Sequence, residues 1–299
     1  MTEQNIMILD APSNLGLRPP ENGAVPGCYK LPWALRDRGL LKAIGAEDGG
    51  GLVPPRYRSQ WALGDGDRNA EGIASYSVLL ANRLQSILKS HSKILVLGGD
   101  CSILLGTMLA LKRRGRYGLV FLDAHGDFRH PENAPEIETA AGEDLAIVTG
   151  HGDARLINLD GLGPYVRHED VHVVGVRPSD EYLDELAASQ ISITTSHEVV
   201  ERGVEVVDSV LETTTAYTDG FWIHLDLDVV DSSEMPAVDC PEPEGPPFAL
   251  ITALLKKLLS SPKCVGMEVT IYDPDLDPTG ACADRIVACL IEAFSAVNA

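Results

Sequence analysis

Two stretches of this chain read alike: Phe121-Leu122-Asp123-Ala124-His125-Gly126-Asp127 and Phe221-Trp222-Ile223-His224-Leu225-Asp226-Leu227-Asp228. Each begins as an apolar run and ends in carboxylates and imidazole at alternate positions. In extended chain, side chains two residues apart share a face. His224, Asp226 and Asp228 therefore point one way and Ile223, Leu225 and Leu227 the other, and Asp123, His125 and Asp127 share a face likewise. Two such runs in one buried parallel sheet would set four carboxylates close together in low dielectric, where bare ionised carboxylates are strongly disfavoured. A divalent metal removes the difficulty. Hard Asp oxygens with one imidazole suit Mn²⁺, Fe²⁺, Co²⁺ or Zn²⁺, and Asp carboxylates bridge two ions.

The rest of the chain supplies strands and helices in alternation. Asn5 to Leu9 reads as a short strand, followed by a Pro/Gly/Asn-rich loop from Asp10 to Pro26. Leu31 to Ile44 has helical spacing, Gly45 to Tyr57 reads as a Gly/Pro loop, and Ala70 to Leu88 as a long helix. A strand from Lys93 to Leu97 turns through Gly98-Gly99-Asp100-Cys101-Ser102 into a helix from Ile103 to Arg113. After the strand Tyr117 to Asp123, His130 to Glu138 is a surface loop, and Leu145 to Val148 begins a compact apolar segment. Strands Val171 to Val176 and Ile191 to Ile193 flank a helix from Asp180 to Ala188. Glu198 to Thr213 is helical, the Met235 to Pro247 loop is Pro-rich, and Phe248 to Leu259, Val265 to Val269 and Ala281 to Val297 read as helix, strand and helix. This order predicts an α/β fold of three layers, α/β/α, with a central mostly parallel sheet. Ligands of such sheets sit beyond the carboxyl ends of strands, where both Asp/His clusters fall.

At 299 residues the chain is long enough for an ample core. Because motifs from residue 98 to 268 must converge on one site, residues 1–299 are expected to form a single domain. Lys plus Arg is 24 against Asp plus Glu 44, a net charge of −20 that opposes nucleic acid and anionic membranes and favours a small cationic or neutral substrate. The opening residues, Met1 to Asn5, lack the basic and apolar regions of a secretory signal, so the chain reads as cytoplasmic. Six cysteines are scattered without a CxxC pair, which implies neither a zinc ribbon nor a disulfide scaffold.

Gly98-Gly99-Asp100-Cys101-Ser102, Asp123-Ala124-His125-Gly126-Asp127, Asp226-Leu227-Asp228 and Gly266-Met267-Glu268-Val269 resemble, in order and spacing, the motifs of the arginase/agmatinase (ureohydrolase) family. The resemblance spans nearly the whole chain. It implies an arginase-like fold, a binuclear manganese centre, hydrolysis of a guanidino or amidino C–N bond, and assembly into trimers or hexamers. Position by position, Asp123 and Asp226 resemble the bridging ligands. His125 and Asp228 complete one metal, and Asp127 with Cys101 the other. Glu268 matches the family's guanidinium-binding carboxylate. Asp180 matches a carboxylate that meets the substrate's amino group, although an Asp opening a helix also serves as an N-cap. Asp127 would relay a proton to the leaving nitrogen after attack by a hydroxide bridging the two ions.

Three departures from the family pattern stand out. Cys101 occupies a position where histidine is usual. It is either a buried hydrophobe or a thiolate ligand that would bias its site toward Zn²⁺, Fe²⁺ or Co²⁺. The family's proton-transfer histidine should fall near Ala140 or Ala141, neither of which carries a proton. The segment expected to meet the far end of the substrate is Phe128-Arg129-His130-Pro131-Glu132, where Arg129 is either a clamp for a carboxylate or a solvated loop arginine. The substrate expected is therefore a guanidino or amidino compound other than L-arginine, such as a hydroxyguanidine. The alternative is a catalytically silent relative that binds a small ligand or regulates a partner.

Overall fold

The computed structural model describes residues 5–297 apart from Asn22, Ser92 and Pro135, so most of the N-terminal segment read above as lacking a secretory signal lies outside the described residues. Eight strands form one parallel sheet: β1 (Ile6–Asp10), β2 (Glu47–Gly51), β3 (Lys93–Leu97), β4 (Tyr117–Leu122), β5 (Val171–Val174), β6 (Ser192–Thr194), β7 (Gly220–Asp226) and β8 (Cys264–Thr270). They lie in the order β2-β1-β3-β8-β7-β4-β5-β6. The central strands are apolar on both faces because both are covered. One layer takes in the helices Ala70–Ile87, Leu104–Lys112 and Asp144–Thr149. The other takes in Leu31–Arg36, Val206–Thr215, Phe248–Leu259 and Ala281–Ser295. The expected three-layer α/β/α architecture is thus the observed one. Among the described residues no helix is long and apolar enough to cross a membrane.

Local differences from the sequence reading have identifiable causes. The Gly/Pro segment after residue 45 contains an edge strand, β2, held by pairing of Glu47 and Asp48 with Met7 and Ile8 rather than by apolar side chains. A Cβ on Gly49 would lie 2.7 Å from the Ile8 carbonyl oxygen, so glycine permits the close approach. The helix expected over 31–44 breaks at Gly39, whose φ of 78° ends one turn before Leu40–Ala43 begins. The segment expected as one helix from Glu198 is two, Ser196–Arg202 and Val206–Thr215, the first opened by a Thr195/Glu198 capping box.

The strand order interleaves the two ends of the chain, since β8 lies between β3 and β7. We propose on this ground that residues 1–299 fold as one unit. Limited proteolysis should therefore release no half that refolds alone; recovery of such a half would contradict it.

His172 on β5 is a second testable feature. It is buried, with its ring nitrogens 2.8 Å from Thr194 Oγ1 and 3.3 Å from Thr213 Oγ1. Burial, with the charge of Arg202, lowers this imidazole to about 4. An unfolded histidine titrates near ~6.5, so between these values the unfolded chain binds the extra proton. Stability from this group is complete above that range and falls as pH drops through it, by up to roughly 3 kcal/mol. Thermal melts should show His172→Gln losing less stability than the unaltered chain between pH 7 and pH 5.

Candidate metal centre

β4 and β7 are neighbours, with Leu122 opposite Leu225, so both chains leave the sheet at one level. Asp123 follows β4 directly, and Asp226 is the last residue of β7. Backbone amides then fix the carboxylates. The His125 N–H donates to Asp123 Oδ1 (2.7 Å), that of Ala124 to Asp228 Oδ1 (3.1 Å), and that of Asp228 to Asp226 Oδ1 (2.9 Å). His125 Nδ1 stands 3.0 Å from Asp228 Oδ2 and 3.6 Å from Asp123 Oδ1. Asp127 follows with a positive φ of 44°, a conformation that Asp tolerates better than most residues. Cys101 is placed by the turn after β3, where Asp100 caps the Ser102 amide and a Cβ on Gly99 would meet the Ser13 backbone. The Cys101 thiol donates to Asp226 Oδ2 (2.7 Å) and approaches Thr270 Oγ1 (3.2 Å).

The result is a concentration of acceptors with little positive charge. Burial, then mutual repulsion, pushes the carboxyls of Asp123, Asp127, Asp144 and Asp226 well above the usual range. Burial likewise raises the Cys101 thiol, reinforced by Asp226. Burial would lower His125, but Asp123 and Asp228 outweigh it and hold the imidazole above its ordinary value. Several buried atoms lack a hydrogen-bond partner among the described residues: Asp123 Oδ2, both oxygens of Asp144, His224 Nε2 and Glu268 Oε2. Buried polar atoms are ordinarily paired, and acceptors that face acceptors call for cations. Donor atoms of Asp123, His125 and Asp127 lie within 4.8 Å of one another, as do those of Asp123, His224 and Asp226, and those of Cys101, Asp144 and His224. Carboxylate oxygens with imidazole nitrogens at this spacing fit divalent transition metals.

A cleft of about 340 Å³ opens beside these residues and is lined by His125, Asp127, Asp226 and Asp228. Arg129 and Asp180 also line it. Arg129 donates to the Glu136 carbonyl (2.6 and 3.0 Å), and Asp180 accepts from the amides of Gly126 (3.0 Å) and Tyr182 (2.9 Å). Asp180 therefore ties the metal loop to a turn before the helix Leu183–Ala188, rather than capping that helix at its first residue. Ala141 lines the cleft, while Ala140 is buried in the core, so Ala141 is the cleft residue at the place expected for a proton-transfer histidine.

Glu268, expected to meet a guanidinium, also has a partner inside the fold. It sits on β8, fully buried, with Oε1 2.8 Å from His224 Nδ1. Its other oxygen, Oε2, has no hydrogen-bond partner among the described residues. Three residues that the sequence reading passed over surround the centre. His224 was visible on the face of Asp226 and Asp228. Asp144 carried no signal beyond an acid opening a helix. Ile271, with a φ of 71°, forms an apolar cleft wall in a conformation costly for a β-branched residue.

The family model of the arginase family matches residues 26–295. The chain belongs to the arginase family. It is 28% identical to the arginase of Bacillus subtilis (strain 168) over 97% of this chain and 98% of that protein. It is 30% identical to the arginase of Bacillus caldovelox over 88% of this chain and 91% of that one. The solved structure of Bacillus cereus arginase superposes with a TM-score of 0.85 at 26% identity, covering 97% and 98% of the two chains.

If the acceptor cluster holds metal, chelation should lower the melting temperature and Mn²⁺ should restore it. An ion at a hundredfold excess over its Kd adds about 2.7 kcal/mol per site. Asp226→Asn should suppress the shift; a melting temperature indifferent to chelator and Mn²⁺ would argue against the centre.

Proposed function

We propose that this arginase-family protein is a cytoplasmic metallohydrolase of a C–N bond in a linear amidine or guanidino compound, working with two divalent ions and assembled as a trimer or hexamer. The observation that carries the reading is the convergence of Asp123, His125, Asp127, Asp226 and Asp228 beyond the ends of β4 and β7, beside a cleft that four of them line. These residues would hold the ions, Mn²⁺ in the first instance, with Cys101 at the inner edge. When bound, such ions supply Lewis acidity and bring the acidity of water toward neutral pH.

The chain's own groups account for recognition and proton movement. Besides Glu268, the cleft-lining carboxylates Asp180, Glu181 and Asp239 would help to hold a cationic amidine. Arg129 and Arg18 stand on the same cleft and suit a carboxylate at the far end of the substrate. Asp127 is placed to carry a proton to the leaving nitrogen through its carboxyl oxygen. Ala141 offers only a methyl group where arginases use a proton-carrying histidine, which favours a leaving group that needs less protonation than an alkylamine.

L-Arginine should therefore be a poor substrate, by about 10²–10⁴-fold relative to an enzyme with a general acid–base group there. Ala141→His should raise arginine turnover. The direct test is a panel of guanidino and amidino compounds assayed for urea or ammonia release with Mn²⁺, Fe²⁺, Co²⁺ and Zn²⁺. Asp239→Asn should raise KM for the active compound by about 10–100-fold, as expected for one charge-assisted hydrogen bond. Ligand binding without metal-dependent turnover would instead identify the silent relative, a reading that Ala141 also supports.

A further inference from the structure

We propose that His224 and Asp144 are ligands of the metal centre, with His224 supplying the nitrogen donor on its inner side and Cys101 acting as a hydrogen-bond donor to Asp226 rather than as a ligand. This rests on the reading of the site as a metal centre and adds to the residues assigned above.

Strand register makes the case. Phe121 on β4, His224 on β7 and Glu268 on β8 are direct cross-strand neighbours. The His224 ring lies stacked on Phe121, with centroids 4.8 Å apart and planes 10° apart, and its Nδ1 is 2.8 Å from Glu268 Oε1. Ring plane and tautomer are thereby fixed: Nδ1 carries the hydrogen toward the carboxylate, and Nε2 presents its lone pair. A carboxylate behind a histidine in this way is the usual support of a metal-binding imidazole. Nε2 has no hydrogen-bond partner among the described residues, and His224 is fully buried.

What faces that lone pair is a second set of acceptors. Asp144 Oδ2 is 3.8 Å from Nε2, and neither Asp144 oxygen has a hydrogen-bond partner; Asp123 Oδ2 is in the same state. Were the ring an imidazolium bridging Glu268 and Asp144, a distance of 3.8 Å would leave one strong donor unused. Donor atoms of His224 lie within 4.8 Å of those of Asp123 and Asp226, and of those of Cys101 and Asp144. Charge selects among them. Asp123, Asp127, Asp144, Asp226 and Asp228 already outnumber the four positive charges of two divalent ions, so a neutral imidazole is a better further donor than a thiolate.

The test uses the full chain, stripped with chelator and reloaded with Mn²⁺ or Co²⁺. Pulsed EPR of the Mn²⁺ form should show coupling to two imidazole nitrogens, from His125 and His224, with one lost in His224→Gln. Equilibrium dialysis should show His224→Gln weakening one of two ions by about 10–100-fold or more, while Cys101→Ser keeps both. The Co²⁺ form should lack a thiolate charge-transfer band. Two bound ions with one coupled imidazole, or a thiolate band that disappears in Cys101→Ser, would overturn the proposal and leave the metallohydrolase reading intact. Failure of the unaltered chain to bind either metal would overturn both. The EPR measurement on the unaltered chain decides the matter even if His224→Gln does not fold.

Discussion

Everything at the mouth of this sheet depends on the parallel pairing of β4 with β7. Their register ends both strands at one level, which brings Asp123 beside Asp226 and lets successive backbone amides hold carboxylates that would otherwise repel one another. That arrangement is unfavourable by itself, because burial and like charge both oppose ionisation. The hydrophobic layers on either side of the sheet overcome the penalty and maintain the site. A fold with a smaller core or an open face would relax by letting water reach the carboxylates.

The same constraint explains which parts of the molecule were legible in the sequence. Period-two polarity at the ends of two apolar runs marked Asp123, His125, Asp226 and Asp228, since that pattern is local and its chemistry is unusual. Buried strands such as Lys93–Leu97 and the long helix Ala70–Ile87 were legible for the same reason: their apolar spacing is dictated by burial. β2 was not, because Glu47–Gly51 pairs through its backbone alone. Glu268 was visible as an acid on a strand, but its direction depends on β8 lying next to β7, an adjacency that chain order does not reveal. Asp144 is harder still. Its significance lies entirely in what the sheet places opposite it.

His224 shows how a departure at one position can be answered at another. The chain has cysteine at 101, and the inner half of the cluster would hold only oxygens and a thiol were it not for an imidazole one strand away. Phe121 and Glu268 hold that imidazole in a single orientation. Glu268, read from sequence as a group that meets substrate, also has a positional role in the fold: through Oε1 it orients a neighbouring imidazole.

Specificity should follow from what the cleft lacks as much as from what it holds. In the proposed hydrolysis, the outcome would depend on which nitrogen receives a proton. On the proposed reading, alanine at 141 would leave proton delivery to another cleft-lining group such as Asp127. Ile271, held in a left-handed conformation, adds an apolar side chain to the cleft lining. The proposed preference for a leaving nitrogen that is already a weak base follows from the first of these features, because a weakly basic leaving group depends less on a proton carrier at position 141.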